Sequence, residues 1–265
     1  MRSFYLSSLA CLIASRNLCL AAPSPAPMSI DPTTGVTTAD KSAFAADPSI
    51  DASGIYAAVQ AATQQPLATF PTTQAQDHMS TVYGDWLNLA GVQAFHFLAD
   101  MDIDCDGVSA NCPGASTSES ETSYGALDTT LVPWFVLPDQ FQPASPLKPN
   151  ALGAIICDGK MFYAIFGDTN GDGVSVEVTG EGSLLLAQAC FPNDNINGDN
   201  GHAPPDVAYI VFGNEVPSGV GWSTIDIVAL KTLGDQQAGM LQSALGLGAA
   251  AIPPSAAANV SASAS

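Results

Sequence analysis

Basic residues are scarce. The 265-residue chain has 6 Lys and Arg against 25 Asp and Glu, a formal net charge of −19 at pH 7. A surface so acidic repels a polyanion and has few cations with which to displace its counterions, which excludes nucleic-acid binding. Charge of either sign is sparse, at 12% of residues, whereas 47% are hydrophobic and 11 are Phe. That is too apolar for a disordered chain and enough for a sizeable core. No CxxC pair occurs, and His78, His96 and His202 are scattered, which argues against zinc. After the N-terminus no apolar run is long enough to span a membrane, and no internal repeat is present. The acidic excess fits either solubility in an acidic medium or a cationic partner.

Residues 1–22 read as a secretory signal peptide. Arg2 supplies the positive start, Phe4 to Ala14 the apolar run, and Leu20-Ala21-Ala22 a small-residue cleavage site. Cleavage there removes both arginines, leaving 4 lysines against 25 acids, a formal −21. It also leaves four cysteines in an oxidising compartment, which allow three pairings. Cys105–Cys112 is favoured as a local clasp, and Cys157–Cys190 follows by elimination.

Residues 23–50, rich in Pro, Ala, Ser and Thr, read as a flexible N-terminal segment. The tail 248–265 reads as disordered and holds the sequon Asn259-Val260-Ser261. The intervening 51–247 forms the folded domain. Helical spacing of Ile55, Val59 and Ala62 predicts a helix before Pro66. Strands are expected over 92–101, 131–138, 206–213 and 223–230, and helices over 184–190 and 235–247. The clearest local signal is GAIICDGKMFYAIFGD, two β-prone runs flanking Asp158-Gly159, the preferred pair for a two-residue hairpin turn. The fold class is mainly β with a few short helices.

Three acidic loops suggest chemistry: 100–107, 167–173 and 194–201. The first two match the opening of a calcium loop, D-x-[DN]-x-[DN]-G, but Pro113 and Thr179 stand where its bidentate Glu belongs. Asx turns account for much of the same pattern. Paired carboxylates also serve glycosidic hydrolysis, one as proton donor and one as base or nucleophile. Asp168, ending the hairpin, and Glu181, before the 184–190 helix, form such a pair. A two-lobed aspartic protease needs two D-T-G-type motifs, and only one G-D-T-N is present. A calcium-dependent, non-catalytic carbohydrate-binding protein is the alternative reading.

The stretches FHFLADMDIDCDG (95–107), YGALDTTLVPWFVLP (124–138), GAIICDGKMFYAIFGDTNGD (153–172), GEGSLLLAQACFP (180–192) and DVAYIVF (206–212) resemble the fungal chitosanases of glycoside hydrolase family 75. The resemblance implies an inverting endo-hydrolase of β-1,4-linked glucosamine polymers, with Asp168 of the F-G-D-T-N motif and Glu181 of the G-E-x-S motif as its essential pair. Glu181 is assigned as general acid and Asp168 as general base. Gly182 stands where the motif has Ala, a change expected to loosen the helix start. The order of strand, hairpin and short helix looks like a double-psi β-barrel, a compact barrel of six strands. Chitosan is a polycation at mildly acid pH, so Asp100, Asp102, Asp104, Asp106, Asp194, Asp199 and Asp206 are candidates to bind it. Trp134, Tyr124 and Phe162 are candidates to stack on sugar faces, with Trp86 and Trp222 behind them. No metal or cofactor is expected, and a secreted depolymerase of this kind works as a monomer.

Overall fold

The computed structural model describes residues 29–30, 37–38, 40–108, 112–114, 119–171 and 176–247. Residues 1–22, read above as a signal peptide, the tail 248–265 with its sequon, and Asp172 and Gly173 of the second acidic loop lie outside them. The strands followed here are β1 (Pro66–Pro71), β2 (Met79–Leu89), β3 (Val92–Asp104), β4 (Trp134–Pro138), β5 (Leu152–Cys157), β6 (Lys160–Asn170), β7 (Glu181–Ser183) and β8 (His202–Phe212). The helices are α1 (Ala52–Ala61), α2 (Leu184–Cys190) and α3 (Ile227–Ala244).

Asp158 and Gly159 take φ of +46° and +70°, the left-handed pair that a type I′ turn requires. They join β5 and β6 into an antiparallel hairpin from Cys157↔Lys160 to Leu152↔Ile165. From this hairpin the strand order runs β8-β5-β6-β4-β7-β3, and β3 pairs back onto β8. The result is a closed six-strand barrel in a mainly β protein. Closure removes the unpaired edges that would invite aggregation. Two of its pairings are parallel, β4 with β6 and β3 with β7. The 13 residues of β3 allow it two neighbour sets. Its first part pairs with β2 and β8, and its end pairs with β7, Asp102 opposite Glu181 and Asp104 opposite Ser183. That register brings the acidic end of β3 to Glu181.

Every residue of β5 is buried, because helices cover the face that the barrel interior does not. Inside, Phe97 and Tyr209 stack with centroids 4.7 Å apart, and burying each such side chain stabilises the fold by about 1.5–3 kcal/mol. Outside, α3 approaches β6 closely at Gly234, where a Cβ would come within 2.3 Å of the Tyr163 ring. The Tyr163 hydroxyl then donates to Asp235 at 2.9 Å, and Lys231 reaches both Asp235 and the Ala45 carbonyl at 2.8 Å.

Several expectations need correction. Residues 223–230 are not a strand: Asp226 accepts from the N–H groups of Val228 and Ala229 and caps α3, which starts at Ile227. An acidic cap in front of an apolar run starts a helix by satisfying its orphan donors. The helix expected over 184–190 is present as α2, preceded by the short strand β7. Strands β1 and β2 fall where no strand was read. Part of the 23–50 segment is packed: Lys41–Phe44 form a 3-10 turn, and Phe44 lies fully buried 5.7 Å from Phe162. Ser29–Ile30 also pairs antiparallel with Thr37–Thr38. The disulfides join Cys105 to Cys112 and Cys157 to Cys190, the second tying the end of β5 to the end of α2. No helix among the described residues is long and apolar enough to cross a membrane.

Candidate active site

Asp168 sits near the end of β6, buried beside Val136 of β4. Its Oδ1 accepts three hydrogen bonds, from the N–H of Ser123 at 2.7 Å, the hydroxyl of Ser123 at 2.6 Å and the N–H of Thr169 at 2.7 Å. Oδ2 receives none from the described residues. Burial pushes the Asp168 carboxyl up, and these three donors pull it back by favouring the anion. Ser123 rides on a turn in which the Thr122 hydroxyl donates to the Gly125 carbonyl at 2.8 Å.

Glu181 opens β7 and meets a different environment. Its one described donor is the neutral amide of Asn170, from Nδ2 to Oε2 at 3.0 Å. Burial raises its carboxyl well above the usual range, and the charges of Asp104, Asp102 and Asp168 add to the rise. The two carboxyls thus differ in kind: one is held by three donors, the other is crowded by acids. Sites that run acid and base chemistry together separate their titrating pairs in this way.

Asp104 is the third member. Its Oδ2 accepts from the Trp134 indole N–H at 2.7 Å and its Oδ1 from the Asp106 N–H at 2.9 Å. Burial, with the charge of Asp168 nearby, moves it to about 7. Asp104, Asp106 and Asp168 each bring one oxygen within 4.8 Å of the others. Thr129 fixes this corner: its hydroxyl donates to the Asp104 carbonyl at 2.9 Å and accepts from the Leu184 N–H at 2.9 Å. One buried side chain thereby joins the end of β3 to the start of α2, just beyond Glu181.

The structure therefore brings together Asp168, Glu181, Asp102, Asp104 and Asp106. Other candidates fall elsewhere. Asp100 is buried, pushed to about 7 by burial and then by the charge of Asp102. Asp206 is exposed and bonds His202 Nε2 at 2.9 Å, while Asp194 bonds Nδ1 at 3.0 Å. Trp134 is fully buried, so it offers no ring face to a sugar and serves instead as donor to Asp104. Phe162 and Trp86 are buried too, against Phe44 and His96. Tyr124 packs edge-on to Phe166. Trp222 remains, 64% exposed, its carbonyl accepting from the Ala126 N–H at 2.8 Å beside the Ser123 turn.

Gly182 is strand, not helix start, so its lack of a side chain does not loosen α2, which Ser183 caps. An added Cβ would meet the Trp134 carbonyl at 3.1 Å and a Leu186 methyl at 3.2 Å, a tight fit. Sequence reasoning missed Ser123, Thr129 and Asn170 as site residues. Asn170 stood in the F-G-D-T-N motif, which was a usable signal. Ser123 and Thr129 carried none.

Comparison with known proteins agrees with this geometry. Residues 101–237, which contain all five acids, match the family model described as fungal chitosanase of glycosyl hydrolase group 75. Endo-chitosanase C of Aspergillus oryzae is 43% identical over 214 residues, covering 77% of this chain and 55% of that protein. An endo-chitosanase of Aspergillus fumigatus is 37% identical over 131 residues, covering 43% of this chain and 53% of that protein. The chain spans about half the length of the curated relatives it matches. With the match running through both carboxylate motifs, the chain belongs to the fungal chitosanases of glycosyl hydrolase group 75.

Proposed function

We propose that this protein is a secreted endo-chitosanase that hydrolyses β-1,4 bonds between glucosamine units of chitosan with inversion. The observation that carries the roles is the unequal setting of the two carboxyls. Glu181, crowded by Asp102, Asp104 and Asp168, keeps its proton and is the general acid. Asp168, with Oδ1 held by three donors and Oδ2 open, is the general base. Glu181 gives its proton to the glycosidic oxygen as the C1–O bond breaks. Asp168 takes a proton from a water that attacks C1 on the opposite face, so a β-linkage yields an α-anomer. Proton exchange with solvent then restores both groups.

Substrate choice follows from charge. Asp102 and Asp106 border the reacting pair, and protonated glucosamine units are drawn to them while polyanions are repelled. Trp222 is the exposed ring available to stack on a sugar. The enzyme acts alone, without membrane or nucleic-acid partners. The test is a reducing-end assay on chitosans of graded acetylation, run on the wild type, Asp168→Asn and Glu181→Gln. Rapid release by the wild type and loss in both variants is expected; near-normal hydrolysis by either variant removes that residue from the pair. Proton NMR of early products checks stereochemistry, and a first-formed β-anomer contradicts inversion.

A further inference from the structure

Asn170 closes β6 and is held at both its backbone and its side chain. Its carbonyl accepts from the Asp139 N–H at 3.1 Å, and its Oδ1 accepts from the Val178 N–H at 2.9 Å. A backbone N–H only donates, so the amide oxygen must face Val178 and the NH2 group must face Glu181. The amide orientation is therefore fixed by the chain itself. Nδ2 lies 3.0 Å from Oε2 of Glu181. The other charged groups around Glu181 are the acids Asp102 and Asp104 of β3 and Asp168 of β6, which offer it no donor when ionised.

We propose that Asn170 is the positioning residue of the acid: by donating to Oε2 it confines the transferable proton of Glu181 to Oε1 and stabilises the carboxylate left when that proton departs. This inference rests on reading Glu181 as the general acid. An oxygen that accepts a fixed N–H is the poorer place for a proton, so the proton occupies the other oxygen. As the C1–O bond breaks, the Oε1–H proton passes to the leaving oxygen and the carboxyl acquires its full charge. The amide bond then becomes charge-assisted and roughly doubles in strength. It is stronger late in the step than early, which is the condition for lowering the barrier. Asn170 also opposes the rise in the Glu181 carboxyl, so its removal lifts the alkaline limb of the activity profile.

The test uses Asn170→Asp, which keeps the acceptor for Val178 but turns the donor into a repelling charge, and Asn170→Ala alongside. Two substrates are compared: chitosan, whose leaving sugar needs a proton, and a nitrophenyl glycoside of a glucosamine oligomer, whose leaving group needs none. A positioning role predicts that kcat on chitosan falls about ten- to a hundred-fold, as expected for one such hydrogen bond. It further predicts little change in KM, near-wild-type kcat on the nitrophenyl substrate, and an alkaline limb moved upward. Wild-type kcat on chitosan in Asn170→Asp overturns the inference, and so does an equal loss on both substrates, which marks a merely structural residue. Glu181→Gln run in parallel separates the two claims. If it spares chitosan hydrolysis the acid reading itself fails; if it shows the leaving-group selectivity while both Asn170 variants do not, only the role of Asn170 fails.

Discussion

Ser123 holds one oxygen of Asp168 twice, through its N–H at 2.7 Å and its hydroxyl at 2.6 Å, and so leaves Oδ2 as the oxygen open to water. Ser123→Ala keeps the backbone bond and deletes the hydroxyl. A hydrogen bond to a charged group contributes about 1.5–3 kcal/mol, so chitosan hydrolysis is expected to fall about ten- to a hundred-fold. The loss also has a pH signature. With one fewer donor favouring its anion, Asp168 rises further, and the acid limb of the rate profile moves to higher pH. Steady-state rates from pH 3 to 8 check this; a uniform loss at every pH would assign Ser123 to packing instead.

Stability carries a second pH signature. Asp100 and Asp104 are pushed to about 7 by burial and neighbouring acids, and Glu181 stands well above its ordinary value. Between about 4 and 7 the folded chain therefore binds more protons than the unfolded chain at these three groups, and stability falls as pH rises through that window. His96 works the other way: burial lowers it to about 4, so its contribution is lost as pH falls below its ordinary range. Asp102 and Asp168, also raised by burial, act in the same direction, so five carboxyls oppose one imidazole, and Tm is expected to be higher near pH 4.5 than near pH 7.5. Asp104→Asn removes one titrating group while retaining an acceptor for Trp134, so it should flatten the slope and raise Tm above pH 7. A Tm that climbs steadily from pH 4.5 to 7.5 would contradict the burial of these acids.

The disulfides separate stability from site geometry. The Cys157–Cys190 bridge spans 33 residues of sequence and the Cys105–Cys112 bridge spans 7. On the chain-entropy account their removal costs about 4 and about 2.5 kcal/mol respectively. The paired Ala variants should rank in that order in denaturant unfolding. Activity should rank the other way, because Cys105 directly follows Asp104, whose carboxyl is close enough to Asp168 to be raised by its charge and close enough to Glu181 to raise it. Unfolding curves and chitosan assays on the same two variants decide it.

What could be read in advance follows from where each signal lies along the chain. The β5–β6 hairpin was legible because Asp158-Gly159 encodes its own turn, and Asp168 and Glu181 because each stands in a short motif. Strand β2 was not legible, since its buried face runs Ser80, Val82, Gly84, Trp86, and a serine and a glycine break the apolar alternation. The start of α3 was misread because Ile225, Ile227 and Leu230 look β-prone until Asp226 is seen as a cap. Ser123 lies 45 residues from Asp168 in a Ser- and Thr-rich loop, and only the closed barrel brings them together. Asp104 was one acid among four at alternate positions; its indole and backbone donors exist only in the folded corner.

The acid cluster finally allows a test between catalysis and cation binding. Asp104, Asp106 and Asp168 bring oxygens within 4.8 Å of one another, a spacing that attracts a hard cation. Four of their six carboxylate oxygens already accept hydrogen bonds, however. Trp134 and the Asp106 N–H take both oxygens of Asp104, three donors take Oδ1 of Asp168, and the Glu119 N–H takes Oδ1 of Asp106 at 2.6 Å. Calcium asks for about six to eight oxygens, and Pro113 and Thr179 supply no bidentate carboxylate. Two oxygens have no donor among the described residues, Oδ2 of Asp106 and Oδ2 of Asp168, and the second is the one assigned to water. EDTA is therefore expected to leave both Tm and chitosan hydrolysis unchanged. Millimolar calcium is expected to inhibit weakly by competing for that oxygen, with the inhibition reversed by EDTA. A fall of several degrees in Tm on adding EDTA, with no reducing ends released at any calcium level, would instead favour a calcium-dependent carbohydrate-binding protein.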